Sequence, residues 1–199
     1  MIDDAVRLEL EKAYDATISG WIRALSFKDH ETAGHCERVA QMAVFLATEL
    51  GVPEKELKDI RRGALLHDIG KLAVPDAILQ KEGPLTEDEY VIVREHTRYA
   101  IDMLEPIEFL KPVVEILSNN HERWDGHGYP RGLKDDEIPL PAQIISLAEV
   151  WDALISDRPY RKAYPENEAI NFIREERGKM FNPKVADALL TIIESSVQP

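Results

Sequence analysis

His67 and Asp68 stand side by side in the run Gly63-Ala-Leu-Leu-His-Asp-Ile-Gly-Lys71, at the end of an apolar helical stretch. Imidazole nitrogens and carboxylate oxygens both suit divalent transition metals. An Asp beside a His can bridge two cations while the imidazole holds one of them. Gly70 allows a sharp exit from the helix, and Lys71 adds an ammonium beside the metals. A second cluster follows in His121-Glu-Arg-Trp-Asp-Gly-His-Gly-Tyr-Pro130. Glu31 and His35 lie four residues apart, a spacing that puts both on one helix face. His96, His121, and Glu149 with Asp152 then arrive on separate segments. One ligand or pair per successive helix, all turned inward, is how a helical bundle builds a polynuclear metal centre.

The elements that must position these residues read as helices. Apolar residues recur at helical spacing almost throughout and β-branched alternation is scarce, so the fold class is all-α. Leu8, Tyr14, Ile18, Trp21, Ile22 and Leu25 form a drifting stripe on a first helix up to Phe27. Residues 32–50 form the next, stopped by Gly51 and Pro53, and Pro53-Glu54 opens a third that runs to His67. Thr86-Glu-Asp-Glu89 is a capping box that starts a helix toward His96. Lys111-Pro112 restarts the chain for a helix ending near Asn120, with His121 closing it. Residues 125–139, rich in Gly and Pro, form a loop. The last three helices, 141–155, 165–177 and 183–193, each carry Pro near the first turn.

These two motifs in this order, with Thr32-Ala-Gly-His35, Arg38-Val39-Ala40 and Ser156-Asp-Arg-Pro-Tyr-Arg161, resemble the HD-GYP branch of the HD metal-dependent phosphohydrolases. The resemblance runs from about Tyr14 to Asn182. It implies an HD-type helical bundle over residues 26–199 with a Gly/Pro-rich GYP loop (Gly128, Tyr129, Pro130), and an N-terminal helical extension over residues 1–25. That extension is either a bundle member or the stub of a helix to a sensor or receiver domain.

The resemblance also implies a ligand set. His35, His67, Asp68 and Glu149 would hold one metal, with Asp68 bridging to a second held by His96 and His121. Members with a third metal have a Glu where this chain has Glu31. Two or three divalent ions, Fe or Mn first and Zn or Ni next, are the expected cofactors. Two departures stand out. The chain has Asn120-His121 where the family has two histidines, so Asn120 would be a weaker, neutral ligand. It has Glu149 where the family has Asp, which moves the carboxylate by roughly 1.5 Å. Asp152, one turn on, is the other candidate, as a ligand or as a partner to one. Arg158, Arg161, Lys71 and Tyr129 are the candidate substrate contacts, by charge-assisted hydrogen bonds from the cations and by a ring and hydroxyl from Tyr129. Asp68 and Lys71 are the candidate catalytic residues.

Composition narrows the partners. A net charge of −13 opposes a nucleic-acid polymer or an anionic membrane surface, both of which need a positive field. No apolar run approaches the roughly 20 residues of a membrane span, and no signal peptide opens the sequence. Cys36 is the one cysteine, so there is no disulfide framework; it reads as a packing residue in a cytoplasmic protein. An anionic small molecule still fits, because metals with Lys71, Arg131, Arg158 and Arg161 would reverse the potential locally.

The expected activity is hydrolysis of cyclic di-GMP to the linear dinucleotide, then to GMP if the pocket admits a second cut. Two other readings stay open: a catalytically weakened cyclic di-GMP receptor or interaction module, and a phosphohydrolase for another nucleotide. A protein partner at the GYP loop or through a fused domain, and a homodimer, are the other expected associations.

Overall fold

Ile18, Ile22 and Leu25 repeat at intervals of four and three, and that stripe buries one side of α1 (Asp4–Ser26). Leu8, expected on the same stripe, is instead exposed, because only the part of the helix from Glu11 onward meets the rest of the molecule. There the buried Arg62 ties it down, donating to Glu11 at 2.5 Å and to Asp15 at 2.9 Å, while Tyr14 stacks on Phe109 with ring centroids 3.7 Å apart. The computed structural model describes residues 4–29, 32–157 and 161–196.

Helix α2 (Thr32–Glu49) turns Cys36, Val39, Ala40, Ala43, Leu46 and Ala47 into the core. It ends where Gly51 takes φ +73° and the Val52 amide reaches back to the Ala47 carbonyl at 2.9 Å, the left-handed C-terminal turn that glycine makes cheaply. Cys36 is fully buried, and burial pushes its thiol far up, so it packs as a small apolar side chain. α3 (Glu54–Leu66) lies against α2 and delivers His67 at its C-terminal cap. A 3-10 turn (Ile69–Ala73) and the short α4 (Asp76–Leu79) follow.

Thr86 caps α5 (Glu87–Arg94) with the expected capping box, its hydroxyl accepting from the Glu89 amide at 3.3 Å. The chain then breaks at Glu95 and starts α6 (His96–Leu104), so His96 is the first residue of a separate helix. α7 (Lys111–Leu117) stops short of the expected end, and His121 sits in the turns beyond it. α8 (Leu140–Ile155) is buried on nearly every side, from Ala142 to Ala148 and again at Trp151 and Asp152, and forms the bundle's central helix. α9 (Glu166–Glu176) and α10 (Pro183–Ser196) close the bundle. Among the described residues there is no strand, only an isolated bridge between Arg177 and Phe181. The all-α architecture is thus as expected. No described helix is long and apolar enough to cross a membrane.

Candidate metal centre

Three side chains from α2 and the α3 terminus converge first. His35, His67 and Asp68 each bring a ligand atom within 4.8 Å of the others, and all three are buried. The ring nitrogens are already sorted. The His67 Nδ1–H donates to the Ala64 carbonyl at 2.7 Å, which leaves Nε2 bare, buried and without a hydrogen-bond partner. A buried polar atom is rarely left this way in a folded protein, and a lone pair facing a carboxylate and a second imidazole suits a cation.

His35 Nδ1 meets Asp152 Oδ2 at 2.7 Å, and Arg38 grips the same carboxylate at 2.5 Å and 2.9 Å. Asp152 is therefore committed to orienting His35, a carboxylate–histidine pairing that fixes the ring and raises its basicity toward a metal. Burial pushes the Asp152 carboxyl up, but His35 and Arg38 outweigh it and hold it at about 2. These contacts match the supporting role that the sequence left open for Asp152. Glu149 lies outside the three-residue cluster, among described residues. Burial raises its carboxyl, yet the charges of His67 and His121 pull it below the ordinary range.

The second pair comes from α6 and the turn after α7. His96 Nε2 and His121 Nε2 are 3.1 Å apart with their rings edge to face. His96 donates Nδ1–H to the Val93 carbonyl at 2.7 Å, so its Nε2 carries a lone pair. Nitrogens this close are joined by a hydrogen bond in the metal-free pair or by a shared cation. Ligands about 2.1 Å from one ion and roughly at right angles lie about 3 Å apart, so the pair fits one metal. Burial lowers both imidazoles, His121 to about 4, and keeps them neutral and available as ligands.

Gly70 brings the two halves together, for a different reason than the sharp exit expected of it. A Cβ there would lie 1.8 Å from the His96 carbonyl oxygen, so only glycine lets the His67–Asp68 turn touch the start of α6. Lys71 donates to Asp68 at 2.8 Å and sits 3.6 Å from Asp29. Burial works against its charge, but Asp68 prevails and raises it, so it stays an ammonium. Asp68 is likewise raised by burial but held far below the usual carboxylate range by Lys71 and His67.

The GYP loop is built on Glu122, buried to 3% exposure, whose carboxylate accepts from the Arg131 amide at 2.7 Å and the Leu133 amide at 3.0 Å. A Cβ on Gly128 would fall 2.3 Å from the Arg123 amide, so that glycine too serves close packing. The result sets the Tyr129 ring on His121, 4.9 Å between centroids and 12° from parallel. Burial pushes the Tyr129 hydroxyl up to about 12, so it remains a neutral phenol.

The remaining candidates fall elsewhere. Asn120 is 2% exposed and its Nδ2 has no partner. Arg161 donates to the Ala153 carbonyl and to the Lys162 carbonyl at 3.3 Å, and it stacks on Tyr164, so its donors serve backbone. Glu31 and Arg158 lie outside the described residues. Sequence reading missed the contacts of Asp29 with Lys71, of Glu122 with the GYP loop and of Arg94 with the Tyr129 ring. Only Arg94 left a trace, four residues after Tyr90 at helical spacing.

A family model described as HD domain matches residues 21–185. The cyclic di-GMP phosphodiesterase response regulator RpfG of Xanthomonas campestris is 40% identical over 184 residues, covering 92% of this chain and 49% of its own length. A 3'3'-cGAMP-specific phosphodiesterase 3 of Vibrio cholerae is 38% identical over 92% of this chain and 40% of its own. The chain thus spans about half the length of the curated relatives it matches. Among solved structures, an HDG"Y"P protein from Bdellovibrio bacteriovorus superposes with TM-score 0.65 at 23% identity, over 80% of this chain and 51% of that one. The chain belongs to the HD domain family, in the HD-GYP branch whose motifs it carries at His67–Asp68 and Gly128–Pro130.

Proposed function

We propose that this chain hydrolyses a phosphodiester of cyclic di-GMP, giving the linear dinucleotide and, where the pocket admits a second cut, GMP. The observation that carries this reading is the sorted donor set: a bare, buried His67 Nε2 beside His35 and Asp68, next to the facing nitrogens of His96 and His121. His35, His67, Asp68 and Glu149 would hold one ion, and His96 and His121, with Asp68 shared and Asn120 adjacent, a second. Glu31 would supply a third. Mixed imidazole and carboxylate donors suit Fe or Mn, and also Zn or Ni. Such ions supply Lewis acidity to a phosphoryl oxygen and lower the pKa of bound water.

The chain's own contribution is positioning. Asp152 and the Ala64 and Val93 carbonyls each engage the Nδ1 of one imidazole, which would turn the Nε2 of His35, His67 and His96 to the metals. Lys71, kept cationic by Asp68, would offset the charge that develops on the phosphate oxygens. Arg158, Arg161 and Tyr129 remain proposed substrate contacts; the carbonyl bonds of Arg161 would have to be exchanged for it to serve. Partner binding at the GYP loop, or through a fused domain, belongs to the same proposal.

A second reading keeps the chemistry and changes the ring. It is favoured by the Vibrio cholerae relative, named for 3'3'-cGAMP at 38% identity. Metal analysis of anaerobically purified protein, with turnover of cyclic di-GMP, 3'3'-cGAMP and cyclic di-AMP, tests both. Metal-dependent release of linear dinucleotide, fastest from cyclic di-GMP, is expected. A loaded centre with no turnover of any of the three would leave a receptor.

A further inference from the structure

Four arginines among the described residues lie over aromatic rings and are spoken for or not in a telling way. Arg62, over Phe109, is paired with Glu11 and Asp15. Arg98, over Tyr99, is paired with Glu95 and Asp102. Arg161, over Tyr164, donates to backbone carbonyls. Arg94 is the exception. Its guanidinium carbon lies 5.0 Å from the Tyr90 ring and 4.9 Å from the Tyr129 ring, and among the described residues nothing accepts its N–H groups.

Its place matters as much as its vacancy for an acceptor. Tyr129 lies against Arg94 on one contact and stacks on His121 on the other, so two ring spacings of 4.9 Å each link the free guanidinium to the metal-facing histidines. Contact with two rings restrains the guanidinium, while its N–H groups are left to a ligand. A guanidinium has five donors and no acceptor, and that fork matches the oxygens of a phosphate. A flexible surface arginine would lose rotamer freedom on binding; one held by two rings has lost much of it already.

We infer that Arg94, seated on Tyr90 and Tyr129, binds the phosphodiester of a cyclic dinucleotide that is not being cleaved. The inference rests on the proposed function. A cyclic dinucleotide carries two phosphodiesters. With one at the histidine cluster, the other faces outward across the ring, and Arg94 lies beside the cluster rather than in it. Guanine is the competing acceptor, through O6 and N7, and it makes a different prediction.

The test compares wild type with Arg94→Gln and Arg94→Lys on cyclic di-GMP, cyclic di-AMP and bis(4-nitrophenyl) phosphate, a diester with a single phosphate. For R94Q, KM for both cyclic dinucleotides should rise about tenfold to a hundredfold, with kcat changed much less. The loss of kcat/KM on the single-phosphate diester should be at least about tenfold smaller. R94K should recover part of the KM, because it keeps the charge and loses the fork. An unchanged KM in R94Q overturns the inference. A loss confined to cyclic di-GMP would give Arg94 to the guanine instead and overturn it too. Equal losses on all three substrates together with reduced metal content would make Arg94 a brace for Tyr129, with the same result. A wild type that cleaves the small diester but neither binds nor cleaves any cyclic dinucleotide would sink the proposed function and this inference together.

Discussion

The two sides of the centre prepare their imidazoles by different physics. On the His35 side a charged chain does the work: Arg38 holds Asp152, and Asp152 holds His35. On the His121 side the neighbours are rings: Tyr129 lies flat on the imidazole, and Arg94 on Tyr129. A carboxylate fixes both the orientation of a ring and the nitrogen that bears its proton. A stacked phenol fixes the ring plane alone, and leaves basicity to burial, which keeps His121 neutral down to about pH 4. The first side should therefore hold its ion tightly, and the second should be the exchangeable one.

The largest break comes from the residue proposed to serve both sides. Asp68→Ala or His67→Ala should remove metal and reduce hydrolysis to background, while the helical circular dichroism signal persists because the apolar helix faces are untouched. Full metal content in Asp68→Ala, measured by elemental analysis, would show that the sides do not share this ligand.

Asp152→Asn addresses the charged side alone. Losing a carboxylate behind a ligating histidine typically costs about 10–100-fold in metal affinity, and a chelator competition reads it directly. Tyr129→Leu is the matched change on the stacked side. Aromatic pairs contribute about 0.5–1.5 kcal/mol, so the affinity loss should stay within about tenfold. If Tyr129→Leu proved as costly as Asp152→Asn, stacking would be orienting His121 as firmly as a carboxylate does.

Asn120→His probes whether the stacked side lacks a ligand. The buried Asn120 has an unpartnered Nδ2, and an imidazole there should raise occupancy of the chelator-labile ion by a few-fold. No change in occupancy or turnover would mark Asn120 as a harmless substitution.

Acid should separate the sides in the metal-free protein. His121 and His96 have native values below the ordinary histidine range, so between about pH 6.5 and 4 the unfolded chain binds more protons and stability falls as pH falls. Asp152, held at about 2, keeps its contribution above its ordinary value near 3.8 and loses it progressively as pH falls from there through 2. Urea midpoints at pH 7.5, 5.5 and 4.5 should therefore decline before the Asp152 side titrates. A flat profile across that range would mean that the His96–His121 pair is solvated rather than buried.

Much of this was legible in the chain itself. Apolar spacing announced a helical bundle, the Thr86–Glu89 capping box marked a real helix start, and His67–Asp68 with His121–Pro130 pointed to the centre, because local pattern and ligand chemistry are written in residue order. Other features needed the folded chain. Whether Asp152 ligates or orients depends on a contact with His35 across 117 positions. That Gly70 and Gly128 serve close backbone approach appears only when the His96 carbonyl and the Arg123 amide are found against them. Arg94 looked like any helix-surface arginine until the fold laid Tyr129 beside it. Periodicity and ligand type are properties of one segment, so sequence determines them; partnership is a property of two distant segments, and only tertiary structure decides it.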